Sequence, residues 1–377
     1  MEKIKTQMYP SQKYILLLLL VLRYPIDKES QEFTKIQSHI LDDYKNCPKC
    51  FENQSDFCKR VHLDYHFDEN LTNNLNILFG VRQNRVLSNN KNSSNKIFAK
   101  YLARDFDFSD LNEEVNENEM IRKLSQRFLN ESRLDGMQFC PHSEIQRFIQ
   151  LFAKNYTELN IWMHMNINVQ PILLPHLHSL GFPVPETYAT CGFTIYQSFD
   201  GVPLADLYSS DFITKLKIAS NLLKGAFKFS EGFNGFRIYI TDLNMDNVVY
   251  NQNENKVSFV DLDTVLIVDD HHQKSESKLI HKHEFLECND CFAFSPTDIC
   301  ASGQSDINIF AVCQLLRENL TRDRTKGFLY PVPEKYNHLE SMLSECVDCK
   351  EITCKNRYDI ALEMISRMEE IIIKNAS

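Results

Sequence analysis

The clearest alternation of apolar and polar positions lies between residues 236 and 270. Four short runs there place an apolar side chain at every second position, at Ile238, Ile240, Val248, Tyr250, Val257, Phe259, Leu266 and Val268. A period of two is typical of β-strands with one buried face. The polar residues between the runs predict turns, with a hairpin turn at Asn253, Glu254 and Asn255. The stretch therefore predicts short strands joined by polar loops.

The pattern elsewhere predicts a mixture of strands and helices. Apolar runs predict strands within 75–81, 96–102, 182–192 and 193–199. Apolar positions at helical spacing predict mainly helical structure over 117–165, helices over 213–229 and 358–374, and a helix that opens within 306–313. This mixture favours an α+β fold.

Carboxylate and amide side chains occupy the loops between the first runs. Asp242 and Asn247 precede the run at Val248, and Asp261 follows the run at Phe259. In protein kinases a catalytic-loop Asp receives the substrate hydroxyl proton, and an Asn and a later Asp hold magnesium. A chain rich in Asn and Asp also produces this spacing by chance, in which case the stretch is only a β-hairpin. The full order of runs and polar residues favours the kinase-like interpretation.

A lysine in a predicted strand is the candidate for phosphate binding. The run Phe-Ala-Lys that ends at Lys100 is similar to the V-A-I-K strand of kinases, whose Lys binds the α- and β-phosphates. Glu158, in a predicted helix, is the candidate acidic partner of Lys100, with Glu119 and Glu144 as rivals. The competing interpretation makes each of these an ordinary surface residue.

No glycine-rich phosphate loop precedes Lys100, because Gly80 stands alone there. Backbone amides that approach phosphate closely normally need glycine. The missing loop therefore argues against tight nucleotide binding.

Composition limits the classes of protein that fit. The chain has 377 residues and 43% hydrophobic content, which suits one large domain or two lobes. Its net charge is −10 and it has no long basic run, so no nucleic-acid partner is expected.

The first residues predict entry into the secretory pathway. Lys3, Lys5 and Lys13 precede nine apolar residues, 14–22, which fit the apolar core of a signal peptide and are too few to span a bilayer comfortably. No A-x-A cleavage pattern comes after them, so a retained anchor stays open, and a buried core helix is a further alternative. Membrane contact is expected only if this segment is retained.

Cysteine usage agrees with an oxidising compartment. The twelve cysteines are all disulfide candidates, at Cys47, Cys50, Cys58, Cys140, Cys191, Cys288, Cys291, Cys300, Cys313, Cys346, Cys349 and Cys354. Three C-x-x-C pairs would suggest zinc in a reduced cytosol, whereas disulfides are favoured behind a signal sequence. The sequence does not indicate which cysteines pair.

Seven N-x-S/T sequons fit a glycoprotein of the ER and Golgi lumen or a secreted chain. They lie at Asn53, Asn70, Asn92, Asn130, Asn155, Asn319 and Asn375. Each is a weak signal alone, because an Asn-rich chain produces some sequons by chance.

The predicted organisation has four parts. Residues 1–26 form a signal peptide or short anchor, 27–70 a cysteine-containing segment, 71–200 an N-lobe-like region, and 201–377 a C-lobe-like region with the catalytic loop and a cysteine-rich insert. The segment 27–70 has too little apolar material for its own core, so we expect it to pack on the N-lobe-like region.

Several of these motifs together resemble one known family. They are Cys47-Pro48-Lys49-Cys50-Phe51 with Cys58-Lys59, Phe98-Ala99-Lys100, Tyr188-Ala189-Thr190-Cys191-Gly192, Thr241-Asp242 through Asn247, Val260-Asp261, and Asp306 through Cys313. From about Cys47 to its C-terminus the chain resembles the deleted-in-autism proteins. These are divergent, cysteine-rich protein-kinase-like proteins of the secretory pathway.

The resemblance implies a two-lobed α+β protein-kinase-like fold that is braced by disulfides. It also implies ATP and Mg²⁺ or Mn²⁺ as cofactors. Asp242 would be the catalytic Asp, and Asn247 and Asp261 the metal ligands. Lys100 would bind phosphate, with Glu158 as its partner.

The resemblance also assigns a structural role to Asp306. It matches the helix Asp that kinases bury beneath the catalytic loop, where it would hold backbone N–H groups. The chain departs from kinases at Ile240-Thr241, where they have His-Arg, and at Leu262-Asp263, where they have Phe-Gly. Without that Arg, control by activation-loop phosphorylation is not expected.

Functions of different classes remain open at this point. The first is an ATP- and magnesium-dependent kinase that transfers the γ-phosphate to a protein or glycan hydroxyl in the secretory pathway. The second is a catalytically inactive pseudokinase that acts as a secreted ligand or scaffold, with a cell-surface receptor as its partner. A zinc-stabilised intracellular binding protein is a distant third.

Overall fold

The structure is a computed structural model that describes residues 55–67, 84–92, 95–102, 116–130, 136–272, 280–281, 294–319, 321–349 and 356–376. The apolar segment 14–22 and the strand expected within 75–81 lie outside these residues. Among the described helices, none is both long and apolar enough to cross a membrane.

Strands and helices alternate along the described residues. The strands are β1 Tyr65–Phe67, β2 Asn84–Asn89, β3 Lys96–Tyr101, β4 Gln138–Cys140, β5 Thr187–Cys191, β6 Thr194–Ser198, β7 Val202–Pro203, β8 Phe236–Ile240, β9 Val248–Asn251, β10 Lys256–Phe259 and β11 Val265–Asp269. The α-helices are α1 Asp56–Asp64, α2 Glu117–Asn130, α3 Ile145–Phe152, α4 Glu158–Ile167, α5 Gln170–Ser179, α6 Phe212–Glu231, α7 Pro296–Ser302, α8 Ile307–Arg317, α9 Asn337–Val347 and α10 Arg357–Ala376. Short 3-10 helices lie at His142–Glu144, Leu204–Leu207, Asp270–His272, Arg324–Lys326 and Glu334–Tyr336.

The first sheet is antiparallel, with the strand order β1-β2-β3-β6-β5. On one face Ile97 and Ala99 of β3 pack in a small core with Val61 of helix α1. Lys100 follows Ala99, so its side chain leaves the strand on the opposite face. The register pairs Lys100 with Ile195, which belongs to the main core. The strand alternation therefore places the Lys100 side chain on the face of the sheet that packs against the main core.

Helix α6 leads the chain into the strands that carry the candidate loops. It begins at the cap residue Asp211, whose Oδ1 accepts the Thr214 backbone N–H at 3.0 Å. It ends at Gly232, which has a φ of 73°. A Cβ at that position would lie 1.8 Å from the carbonyl oxygen of Phe236, so the turn into β8 requires glycine.

Two small sheets, β10-β9-β7 and β4-β11-β8, bring the candidate loops together. The four apolar runs predicted from the alternation correspond to β8, β9, β10 and β11. Val248 pairs with Phe259, and Ile240 pairs with Val265. The loops 241–247 and 260–264 therefore start and end beside each other.

Strand β4 departs from the helical structure predicted over 117–165. Its residues pair in parallel with β11, and Phe139 lies opposite Ile267. Both of these side chains are buried. The partner strand comes far later in the chain, so local periodicity contains no signal for this pairing.

The connection between the first sheet and the rest of the chain is held by Asp200. Ser198 Oγ donates to its Oδ1 and Ser258 Oγ donates to its Oδ2, each at 2.5 Å. Gly201 comes next, where an added Cβ would lie 2.1 Å from the carbonyl oxygen of Tyr250. Close backbone contact with β9 therefore fixes the link between the two lobes.

Disulfides brace the described part of the chain. They join Cys58 to Cys191, Cys140 to Cys300, and Cys313 to Cys346. Cys349 is also disulfide-bonded, and no free cysteine occurs among the described residues. The zinc alternative is therefore wrong for the C-x-x-C pair at Cys346 and Cys349. The remaining candidates, Cys47, Cys50, Cys288, Cys291 and Cys354, lie outside the described residues.

Removing the bond that joins α8 to α9 should destabilise the helical lobe, the C-lobe-like region 201–377. The double substitution Cys313→Ala/Cys346→Ala should lower the free energy of unfolding by about 2–4 kcal/mol, because the unfolded chain loses a constraint. Thermal denaturation without reductant measures this change, and reductant should lower the melting temperature of the wild type. A chelator-sensitive, reductant-insensitive melting temperature would contradict the disulfide assignment.

A buried histidine makes the core sensitive to acid. His164 of α4 is buried, and loss of hydration lowers its pKa from 6.5 to about 4. The unfolded chain therefore binds a proton that the folded protein does not, and stability falls as the pH falls from 6.5 toward 4.

Replacing this histidine should flatten the acid limb of the stability curve. Wild type should lose up to about 3 kcal/mol more than His164→Gln between these two pH values. Chemical denaturation at a series of pH values measures the difference. Parallel curves for the two proteins would show that His164 does not titrate on unfolding.

Candidate active site

The loop between β8 and β9 holds the candidate catalytic residue. The exposed Asp242 accepts hydrogen bonds from Asn247 Nδ2 at its Oδ2 and from Asn244 Nδ2 at its Oδ1, each at 3.0 Å. Asn247 Nδ2 also donates to the Asp242 carbonyl at 3.0 Å. Asn244 Oδ1 accepts the backbone N–H of Asn247 at 3.1 Å, which closes the turn. The two asparagines therefore fix the direction of the Asp242 carboxylate.

A backbone hydrogen bond places the second candidate loop beside the first. The Val260 N–H donates to the Asn247 carbonyl at 3.0 Å. Asp261, the next residue, therefore lies beside the end of the catalytic loop. Both amide contacts of Asn247 use Nδ2, and no described residue donates to its Oδ1. Asn247 thus keeps an acceptor near Asp261.

Lys100 and Asp261 form a partly buried ion pair between the two lobes. Lys100 Nζ lies 2.5 Å from Asp261 Oδ1, although 161 positions separate the two residues in the chain. The Lys100 side chain is 5% exposed, and that of Asp261 is 23% exposed. The structure therefore joins the candidate phosphate-binding Lys to the candidate metal-binding Asp.

Asp263 adds a third carboxylate to this cluster. Burial, and then the negative charge of Asp261, raise its pKa to about 6, while the charge of Lys100 opposes the rise. The charge of Asp242 raises the pKa further. Asp263 stands where kinases have the Gly of D-F-G, so the kinase motif did not identify it.

The expected pairing of Lys100 with Glu158 is wrong for this structure. Glu158 is exposed at the start of α4, and its Oε1 accepts from Trp162 Nε1 at 3.3 Å. Gln170 instead approaches the ion pair, and its Nε2 donates to Asp261 Oδ1 at 3.1 Å. A Gln matches no kinase motif, so the sequence pattern did not indicate this residue. Glu119, the rival of Glu158 as a partner of Lys100, pairs with Arg122 on the surface of α2.

Asp306 is buried, as expected, but its carboxylate accepts hydrogen bonds from groups outside the catalytic loop. Its Oδ1 accepts the His281 backbone N–H at 2.7 Å, and its Oδ2 accepts from Arg357 Nη1 at 2.6 Å. Burial raises the pKa of Asp306 and lowers the pKa of Arg357, and the mutual attraction of their charges opposes both shifts.

Asn308, rather than Asp306, accepts a backbone N–H beside the catalytic loop. Its Oδ1 accepts the Ile240 backbone N–H at 2.9 Å, directly before the catalytic loop. Its Nδ2 donates to the Ile238 carbonyl at 2.8 Å and to Ser230 Oγ at 3.1 Å. One buried amide thus joins α6, α8 and β8. The sequence indicated the helix, but not which of its polar residues turns inward.

A threonine occupies the position of the kinase catalytic-loop Arg. Thr241 Oγ1 donates to the Thr264 carbonyl at 3.0 Å, which ties the loop to the segment after Asp261. This contact is neutral and internal. Thr241 therefore supplies no cationic group for a phosphorylated activation loop.

The sequons are distributed over the surface of the described residues. Asn92, Asn130, Asn155 and Asn375 are exposed and Asn319 is half-buried. Asn53 and Asn70 lie outside the described residues.

The sheet-and-helix architecture and the Lys100–Asp261 pair beside the Asp242 loop define a protein-kinase-like, disulfide-braced α+β fold. A family model described as "Protein-kinase domain of FAM69" matches residues 161–349. The chain belongs to this family of divergent protein-kinase-like proteins, which confirms the resemblance to the deleted-in-autism proteins.

Curated relatives carry the name "Divergent protein kinase domain 2A". The proteins from Homo sapiens and Mus musculus are each 24% identical over 254 residues, and the protein from Xenopus tropicalis is 23% identical over 254 residues. These matches cover 60% of this chain and 59% of each relative, so the chain spans about three fifths of their length. A solved structure, the complex of Rv3197 with erythromycin from Mycobacterium tuberculosis, covers 97% of this chain and 87% of that one, with 12% identity and a TM-score of 0.31.

Breaking the buried Asp306–Arg357 pair should destabilise the fold. Asp306→Ala should lower the free energy of unfolding by about 3–5 kcal/mol, because Arg357 is left charged and buried. Asp306→Ala/Arg357→Met is the control and should recover part of this loss. Chemical denaturation measures both, and equal stability of wild type and Asp306→Ala would contradict the buried pair.

Proposed function

We propose that this protein is a divergent kinase that transfers the γ-phosphate of ATP to a protein or glycan hydroxyl in the secretory pathway. The observation that supports this most strongly is the position of Lys100 and Asp261 beside the Asp242–Asn247 loop. These four residues belong to three separate parts of the chain. A kinase needs all of them at one place.

The donor set at this place suits a hard divalent cation. Asp261 and Asp263 supply carboxylate oxygens, and Asn247 supplies the Oδ1 that accepts no hydrogen bond from a described residue. Mg²⁺ and Mn²⁺ prefer oxygen ligands of this kind. We therefore assign Asp261 and Asn247 as metal ligands. A bound cation would neutralise charge on the nucleotide phosphates.

The remaining residues would orient the substrates. The Asp242 carboxylate, held by two asparagine amides, would accept the proton of the incoming hydroxyl. The hydroxyl oxygen then bonds to the γ-phosphorus while the bond from that phosphorus to the bridging β-phosphate oxygen breaks, which releases ADP. The Lys100 ammonium group would leave Asp261 in part and bind the nucleotide phosphates.

A pseudokinase that acts as a secreted ligand or scaffold is the second candidate. The observation that favours it is that Lys100 and Gln170 both bind Asp261 Oδ1 in this structure. The sequence also lacks a glycine-rich phosphate loop before Lys100. A cell-surface receptor would be its partner. Metal-dependent nucleotide binding and turnover separate the two candidates.

Two substitutions should separate binding from catalysis. Asp261→Ala should abolish metal-dependent nucleotide binding, because the phosphate charge then lacks its bridging cation. Asp242→Ala should leave binding nearly intact and remove turnover, since this residue orients the hydroxyl nucleophile. Thermal shift with Mn²⁺ and ATP measures binding, and release of ADP measures turnover.

The control for this pair is Asp246→Ala, which removes an exposed carboxylate from the same loop. It should leave binding and turnover close to wild type. Wild-type protein that binds no nucleotide with Mg²⁺ or Mn²⁺ would reject the kinase and leave the pseudokinase.

The secretory location is supported by the three described disulfides, since such bonds persist in oxidising compartments. Expressed in a eukaryotic cell with its N-terminal segment, the protein should gain N-glycans at exposed sequons such as Asn92 and Asn155. Endoglycosidase should increase its electrophoretic mobility, and Asn→Gln substitutions should remove glycans one at a time. A product with free thiols and no glycan would reject this location.

A further inference from the structure

The side chain of Gln170 contacts the Lys100–Asp261 pair directly. Its Nε2 donates to Asp261 Oδ1 at 3.1 Å, the same oxygen that lies 2.5 Å from Lys100 Nζ. Gln170 is fully buried, and its backbone N–H donates to Asn168 Oδ1 at 3.1 Å where α5 begins. Both the backbone and the amide of this residue are therefore held in place.

The chemistry of the two groups fixes the orientation of the amide. An ionised carboxylate only accepts hydrogen bonds, so the NH₂ end of Gln170 must face Asp261. A glutamate at this position would put a second negative charge against Asp261. Kinases instead neutralise the corresponding Lys with a dedicated Glu. In this chain Asp261 itself neutralises Lys100.

The other end of the amide is also informative. Gln170 Oε1 is buried and accepts no hydrogen bond from any residue that the structure describes. Buried acceptors are normally satisfied. This oxygen can therefore accept a hydrogen bond from a group that binds at the cluster.

We propose that Gln170 is the positioning residue for Asp261. Its amide and Lys100 both hold Oδ1 of the carboxylate, which presents Oδ2 to a divalent cation. This inference deepens the proposed function and rests on it for the cation. Affinity for the metal should consequently depend on which side chain stands at position 170.

The test compares Mn²⁺ binding by the full chain in three variants, monitored by thermal shift over a Mn²⁺ titration. Gln170→Leu should weaken Mn²⁺ binding by roughly tenfold, because Asp261 loses the donor that orients it. Gln170→Glu should lower the melting temperature in chelator, since two carboxylates then repel each other. It should also give a larger rise with Mn²⁺ than the wild type, because the cation removes that repulsion.

Gln197→Leu is the matched control, because Gln197 of β6 is also a buried glutamine and its side chain has no hydrogen bond to Asp261 among the described residues. This variant should bind Mn²⁺ as the wild type does. Equal Mn²⁺ affinity in wild type, Gln170→Leu and Gln170→Glu would overturn the proposal. If Gln170→Leu does not fold, Gln170→Asn replaces it, since this variant keeps the amide but shortens its reach. It should then weaken Mn²⁺ binding, and unchanged affinity would overturn the proposal.

A double-mutant cycle separates this proposal from the proposed function. If the wild type binds neither Mn²⁺ nor metal–nucleotide, the kinase proposal fails. The contact of Gln170 is then judged in chelator from Gln170→Leu, Asp261→Ala and the double variant. Non-additive losses of stability would support the positioning contact, and additive losses would overturn it.

Discussion

The partly buried ion pair of Lys100 with Asp261 is the interaction on which the candidate site depends. It joins a strand of the first sheet to a loop of the helical lobe. The positive charge of Lys100 in one lobe is therefore neutralised by a carboxylate of the other. An unpaired Lys at 5% exposure would be costly, and the pair therefore fixes how the lobes face each other. Gln170 and Asp263 are arranged around this pair.

The helical lobe holds the catalytic loop by internal contacts. Asn308 binds the backbone of β8 just before the loop, and Thr241 ties the loop to the segment after Asp261. The Cys313–Cys346 bond braces the same lobe covalently, and the Cys140–Cys300 bond joins β4 to α7. The Asn308 and Thr241 contacts are neutral hydrogen bonds within the described residues. This fits the replacement of the kinase Arg by a neutral Thr.

The chain departs from kinases mainly in the groups that bind the Asp261 carboxylate. Kinases give the phosphate-binding Lys its own Glu and leave the D-F-G Asp for metal. Here Asp261 pairs with Lys100, and the neutral amide of Gln170 donates to the same oxygen of Asp261. The same arrangement is compatible with a kinase whose Lys moves to the phosphates and with a scaffold that never releases it. The protonation of Asp263 depends on the same charges, because Asp261 and Lys100 shift its pKa in opposite directions.

The sequence by itself determined the parts of this protein that are encoded locally, and only the tertiary structure decided which distant residues became partners. Alternation along 236–270 predicted β8 to β11, because each strand there is adjacent in the chain to the loop it positions. Glu158 was expected opposite Lys100, but Asp261 pairs with Lys100 and Gln170 of α5 contacts that Asp261. Asn308 rather than Asp306 contacts the strand before the catalytic loop. Strand β4 pairs with the remote β11, and the cysteine partners are similarly distant in the chain. Such contacts depend on packing and register between separate elements, and no local pattern of residues contains that information.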